Sequence, residues 1–318
     1  MQVADYGRPL ELVDVDEPET GPGEVLIDVH RAGVNFPDLL LIQGRYQMRP
    51  EPPFGPGFEV AGVVAAVGDG VSQVAVGDRV MAFVQLGGYA ERVVAPETAV
   101  FRLPDAVSFD QAAVIPIAYG TGYHALVDRA SLAEGETLLV LGASGGVGLV
   151  AVELGKHLGA TVIGAVGSEW KAEAVRDKGV DEVVGYDDLR DRVKHLTGGR
   201  GADVLYDPVG GDAFDQALRS MAWQGRMLVI GFASGRIPDI PANRLLLNET
   251  TAIGVFWGRF AQQDPAANRR NLDVVLGLVA RGDLAPVIGD VLALEDAGRA
   301  MERLGDRTVV GKLVLAVR

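Results

Sequence analysis

The chain has 318 residues, 48% hydrophobic and 23% charged, with a formal net charge of −14 and no cysteine. That length accommodates two domains, each with its own core. The missing cysteine excludes disulfides and thiolate metal sites, and the acidic balance argues against nucleic acid as the main partner, because phosphate binding needs a basic footprint.

Residues 1 to about 110 read as short strands broken by Gly and Pro, in stretches such as GEVLIDVHRAGV, FEVAGVVAAVG, VGDRVMAFV and YAERVVAPE. Their β-branched content and spacing fit a small barrel-like domain. The start, MQVADYGRPLELVD, has neither the basic flank nor the apolar stretch of a signal peptide. No apolar run reaches the ~18–20 residues that cross a bilayer, so a cytoplasmic protein without a membrane partner is expected. From DQAAVIPIAYGTGYHALVDRA onward the period becomes helical, and then strand and helix patterns alternate. TLLVL precedes a helix at about 146–158, TVIGAV precedes one beginning near Ser168, and DEVVGY, ADVLYD and RMLVIG follow as strands. Such alternation predicts a parallel sheet with helices on both faces. TTAIGVFW reads as a further strand, PAANRRNLDVVLGLVARG as a helix, and GKLVLAV as a closing strand returning to the first domain.

The segment Ala143-Ser144-Gly145-Gly146-Val147-Gly148 follows a predicted strand and opens a predicted helix, the context a dinucleotide fingerprint requires. Gly145 would admit a pyrophosphate close to the backbone, and Gly148 would let the helix pack on the sheet. Ala143 stands where the fingerprint has its first glycine. An NAD site usually carries Asp or Glu ~20 residues further on; here Val166-Gly167-Ser168 reach that point. Ser168 and Lys171 offer a hydroxyl and a cation suited to a 2′-phosphate, so NADPH is the expected cofactor. Asp207, in YDPVGG, reads as the cap of a turn.

These residues, with AGVNFPDLLLIQGRY, PFGPGFEVAGVV, YDPVGG and GFASG, resemble the medium-chain dehydrogenase/reductase superfamily, in particular its zinc-free NADPH:quinone oxidoreductase branch. The resemblance implies an α/β protein: a GroES-like β-barrel catalytic domain over 1–113 and 256–318, and a Rossmann doubly wound parallel sheet over 114–255. In zinc relatives a Cys and a His hold the metal; Asn35 and Phe58 stand at those positions here. The four histidines (His30, His124, His157, His195) lack ligand spacing, so no metal is expected. Without a Lewis acid to generate an alkoxide, the chemistry implied is hydride delivery from NADPH to an electrophilic small molecule, a quinone or other α,β-unsaturated carbonyl. Asn35 and Tyr46 match family positions near the nicotinamide and would donate to the carbonyl oxygen. By the same resemblance Thr121 lies beside the carboxamide, Gly231, Phe232 and Ala233 line the cofactor groove, and Phe256 and Trp257 close over the nicotinamide. Tyr186 and Arg307 approach the adenosine phosphate, and Gly167 belongs to the same end. The TTAIGVFW strand would pair across a two-fold axis in a homodimer. Two alternatives stay open. Asn35, Asp38, Gln43, Gly44 and Tyr46 equally fit an N-x-x-D…Q-G-x-Y pattern of enoyl-thioester reductases, with Tyr46 as proton donor. A non-catalytic NADPH-binding protein is the other.

Overall fold

In the computed structural model, which describes residues 1–318, the alternating run EVLIDVHRAGV forms β1 (Glu24–Val34). Its Val25, Ile27 and Val29, two residues apart, are fully buried, as the two-residue period of a strand dictates. β1 pairs antiparallel with β2 (Glu59–Val67), and β2 with β3 (Arg79–Phe83). β4 (Arg92–Pro96) also pairs with β1, and β5 (Val100–Arg102) with β3. The chain's end returns to this sheet: β13 (Lys312–Ala316) runs antiparallel to β1, with β12 (Ile288–Ala293) parallel beside it. The path is β12-β13-β1-β2-β3-β5, with β4 alongside β1.

This register positions the polar residues. Val34 faces Leu313 and Ala32 faces Val60, so the segment after β1, the start of β2 and the start of β13 meet at one end of the sheet. Gly33 makes that approach possible: a Cβ there would lie 2.1 Å from the Ala113 carbonyl oxygen and 2.5 Å from Glu59 Oε1.

The second sheet is wholly parallel. Its strands are β6 (Thr137–Leu141), β7 (Thr161–Ala165), β8 (Glu182–Val184), β9 (Ala202–Asp207), β10 (Met221–Val229) and β11 (Thr251–Gly254), in the order β11-β10-β9-β6-β7-β8. β6 is buried throughout, and the order reverses beside it; ligands bind outside the carboxyl ends of strands at such switch points. Two expected strands are shorter than their apolar runs. DEVVGY supplies only Glu182–Val184, and TTAIGVFW only Thr251–Gly254, an edge strand with Thr251, Ala252 and Gly254 exposed. The chain divides into two units, Met1–Gly120 with Gly258–Arg318, and Thr121–Trp257. The antiparallel sheet lies in the first and the parallel sheet in the second. No helix is long and apolar enough to cross a membrane.

Candidate active site

β6 ends in a turn at Gly142, whose φ of 60° lies in the left-handed region that favours glycine. The Gly145 N–H donates back to the Gly142 carbonyl at 2.9 Å, and Gly145 immediately precedes the helix Gly146–His157. A Cβ on Gly148 would meet the Gly142 oxygen at 2.1 Å, whereas one on Gly145 would meet only that oxygen, at 3.4 Å. The helix therefore packs tightly through Gly148 and leaves the side of the turn at Gly145 open. Gly146, Val147 and Gly148 supply first-turn N–H groups without intrahelical partners, which suit an anion. The left-handed turn residue is Gly142, one residue before Ala143; Ala143 is fully buried and its N–H donates to the Ala165 carbonyl at 3.0 Å. Ser144 is buried beside it.

Beyond β7 a pocket of about 260 Å³ opens between Gly167, Ser168 and Glu169 on one side and Gly185 and Tyr186 on the other. Ser168 precedes the helix Glu169–Arg176 without a side-chain capping bond, so its hydroxyl is not spent on the helix end. The Tyr186 hydroxyl accepts a 2.9 Å hydrogen bond from the Gly142 N–H, tying the segment after β8 to the glycine turn. Lys171 does not line this pocket; its Nζ lies 5.2 Å from the centre of the Trp170 ring. Two carboxylates, Glu169 and Asp187, do line it.

The remaining cofactor-side residues lie on several elements. Thr121 is buried in the helical turn Gly120–Tyr123. Gly231, Phe232 and Ala233 follow β10 in a loop held by the Ala233 N–H on the Pro208 carbonyl at 3.0 Å. Beneath that loop Asp207 Oδ1 accepts the Val209 and Gly210 N–H groups, both at 2.8 Å, so it caps the turn. Burial pushes its carboxyl up to about 6 against these two bonds. Phe256 is 54% exposed while Trp257 is 4% exposed, so the aromatic pair divides between surface and core. Arg307 sits in the first unit, exposed, with φ 56°.

At the end of the antiparallel sheet stands a buried network that sequence reasoning did not assemble. Lys312 Nζ donates to Glu59 Oε1 at 2.9 Å, to the Val34 carbonyl at 2.8 Å, and to Asn35 Oδ1. Asn35 Nδ2 donates to Glu59 Oε1 at 2.9 Å and more weakly to the Gly33 carbonyl at 3.5 Å. The Ile117 N–H completes Glu59 through Oε2 at 2.9 Å. Glu59 is wholly buried, and Lys312 and Asn35 are each 6% exposed. The Asn35 amide, expected to stand ready as an oxygen donor, is thus engaged at both ends. Asp38 Oδ2 accepts the Asn35 N–H at 2.8 Å, while its Oδ1 and the Tyr89 hydroxyl approach each other without a well-formed hydrogen bond.

Burial is the main reason the Asp38 carboxyl is pushed up to about 7; the Asn35 N–H, Lys312 and Tyr89 oppose the rise, and Glu59 adds to it. The folded protein therefore holds this proton at pH values where the unfolded chain releases it. Its contribution to stability is full below about pH 4 and lost as pH rises through about 7. We expect Asp38→Asn to flatten the decline in stability between about pH 4 and 7, a difference on the order of a few kcal/mol. Urea unfolding at a series of pH values checks this; parallel curves for the two proteins would refute it.

Tyr46 is half-buried, its ring 5.8 Å from that of Phe58. Burial, and secondarily the nearby Asp38 charge, raise its pKa. The phenol thus stays protonated at neutral pH and presents an O–H donor.

A glycine turn at the switch point of a parallel sheet, joined in one chain to an antiparallel unit, is the architecture of a dinucleotide-binding protein. The sequence matches the family descriptions "Alcohol dehydrogenase GroES-like domain" over residues 21–105 and "Zinc-binding dehydrogenase" over 146–272. It is 40% identical over 317 residues to "Quinone oxidoreductase-like protein 2 homolog" of Nematostella vectensis, covering 98% of this chain and 87% of that one. A crystal structure of Pseudomonas syringae quinone oxidoreductase superposes with a TM-score of 0.93 at 34% identity, covering 99% and 98% of the two chains. The Escherichia coli quinone oxidoreductase complexed with NADPH gives 0.92 at 29% identity, covering 99% of each. The chain belongs to the medium-chain dehydrogenase/reductase superfamily, in its quinone oxidoreductase branch.

The zinc of the second family description does not fit the residues present. Phe58 has no donor atom, the Asn35 oxygen is taken by the Lys312 ammonium, and no three His, Asp or Glu side chains converge to hold an ion.

Proposed function

We propose that this protein is an NADPH-dependent, zinc-independent reductase of quinones or other α,β-unsaturated carbonyls. The observation that carries the reading is that Phe58 has no donor atom and the Asn35 oxygen is taken by Lys312, in a chain that keeps its dinucleotide turn. NADPH supplies the hydride when bound. The residues that would hold it are the first-turn amides of Gly146, Val147 and Gly148 for the pyrophosphate, with Ser168 and Tyr186 in the pocket at the adenosine end. A conjugated carbonyl accepts hydride without a Lewis acid if its oxygen meets a donor as charge develops there. Tyr46 is that donor, a protonated phenol on an apolar neighbour. Asn35, fixed by Lys312 and Glu59, holds the segment between β1 and the helix Phe36–Ile42.

The test is NADPH oxidation against a panel of quinones, enones and enoyl thioesters, before and after exhaustive chelation. We expect turnover with quinones or enones to be unchanged by the chelator, with no stoichiometric zinc in elemental analysis. Chelator-sensitive activity with one bound zinc would overturn the mechanism. Tight NADPH binding without turnover on any acceptor would favour a binding protein.

A further inference from the structure

The pocket beyond β7 holds a cation that the sequence motif does not single out. Arg176, at the end of the helix that begins at Glu169, reaches back two turns and places Nη1 2.8 Å from Glu169 Oε1. Both side chains line the pocket, whereas Lys171 does not. The pair is exposed, 53% for Arg176 and 82% for Glu169, and an ion pair so open to solvent contributes little and exchanges readily. A guanidinium carries five N–H donors, enough to give two parallel bonds to a phosphate.

We propose that Arg176, exchanging Glu169 for the ligand, binds the 2′-phosphate of NADPH, and that the Glu169–Arg176 pair sets the preference for NADPH over NADH. This rests on the NADPH reading above. The charges facing the pocket make the cation decisive. Glu169 and Asp187 are both acidic, and Arg176 is the only basic residue on the lining; a phosphate entering without it would meet uncompensated repulsion. Ser168, uncommitted to capping, adds a hydroxyl donor on the same wall. Tyr186 forms the other side, its hydroxyl anchored on Gly142.

The experiment is equilibrium binding to the full-length protein of NADPH, NADH, 2′,5′-ADP and 5′-AMP, followed by calorimetry so that no turnover is needed. Arg176→Gln should weaken NADPH and 2′,5′-ADP roughly tenfold or more and leave NADH and 5′-AMP within about twofold, since only a charge-assisted phosphate contact is lost. Glu169→Gln should tighten NADPH severalfold by freeing the guanidinium. Lys171→Ala should cost less than Arg176→Gln. Both pocket side chains are exposed, and unchanged unfolding temperatures would confirm intact folds. If wild type prefers NADPH and Arg176→Gln keeps that preference, the role of Arg176 is overturned while the NADPH reading stands. Equal wild-type affinity for the two cofactors would remove both. A Glu169→Gln variant that loses NADH affinity would also overturn the proposal, by making Glu169 an acceptor for the ribose 2′-hydroxyl.

Discussion

Lys312→Met should destabilise the first unit by ~3–5 kcal/mol, because it leaves a fully buried carboxylate without its cation. Glu59 is 0% exposed and its Oε1 accepts from both Lys312 and Asn35, so no water replaces the lost ammonium cheaply. The Val34 carbonyl and Asn35 Oδ1 lose their donor at the same time. The double variant Lys312→Met/Glu59→Gln should recover a large part of the loss, since it removes the orphaned charge instead of exposing it to a low-dielectric interior. Denaturant unfolding of the wild type, both single variants and the double variant gives the coupling directly. A loss below about 1 kcal/mol for Lys312→Met, or additive single effects, would show that the ion pair is incidental to the fold.

That network also marks where reading the chain stops. The parallel sheet was legible because each strand and helix announces itself locally: TLLVL is buried on both faces, and the glycines after it sit where strand becomes helix. The turn itself is made by Gly142, whose φ lies in the left-handed region. Lys312 and Glu59 are 253 residues apart. GFE and GKL look like ordinary strand starts, and only the pairing of β1 with both β2 and β13 makes them neighbours. The same limit applies to Asn35. The resemblance implied a donor there, but whether an amide is spare depends on partners that spacing does not reveal. Arg176 stands seven residues beyond Glu169, and only the folded chain shows that its side chain turns back to the pocket wall.

The effect of Tyr46→Phe is expected to depend on the acceptor, and that dependence separates the two reductase readings. Burial raises the Tyr46 pKa, which keeps the proton on the phenol but makes it a weaker acid. A weak acid serves well as a hydrogen-bond donor to an oxygen gaining charge and poorly as the source of a proton that must leave. With a quinone, which needs little help to accept hydride, we expect kcat/KM to fall modestly, about tenfold or less. If the protein instead reduces enoyl thioesters with Tyr46 as general acid, the same substitution should cost ~10²–10⁴-fold on a crotonyl thioester. The pH profile gives a second readout. The Asp38 carboxylate, which forms as its proton is lost near pH 7, raises the Tyr46 pKa further. A rate that needs the protonated Tyr46 phenol, whether as donor or as acid, should therefore shift its alkaline limb downward in Asp38→Asn, while a rate that does not use the phenol should not. NADPH affinity, measured separately, must be unchanged for either comparison to count. If Tyr46→Phe leaves kcat/KM untouched on every acceptor while NADPH still binds, the phenol is not the donor. The oxygen partner must then be sought among backbone amides, because Asn35 is already committed to Glu59 and Lys312.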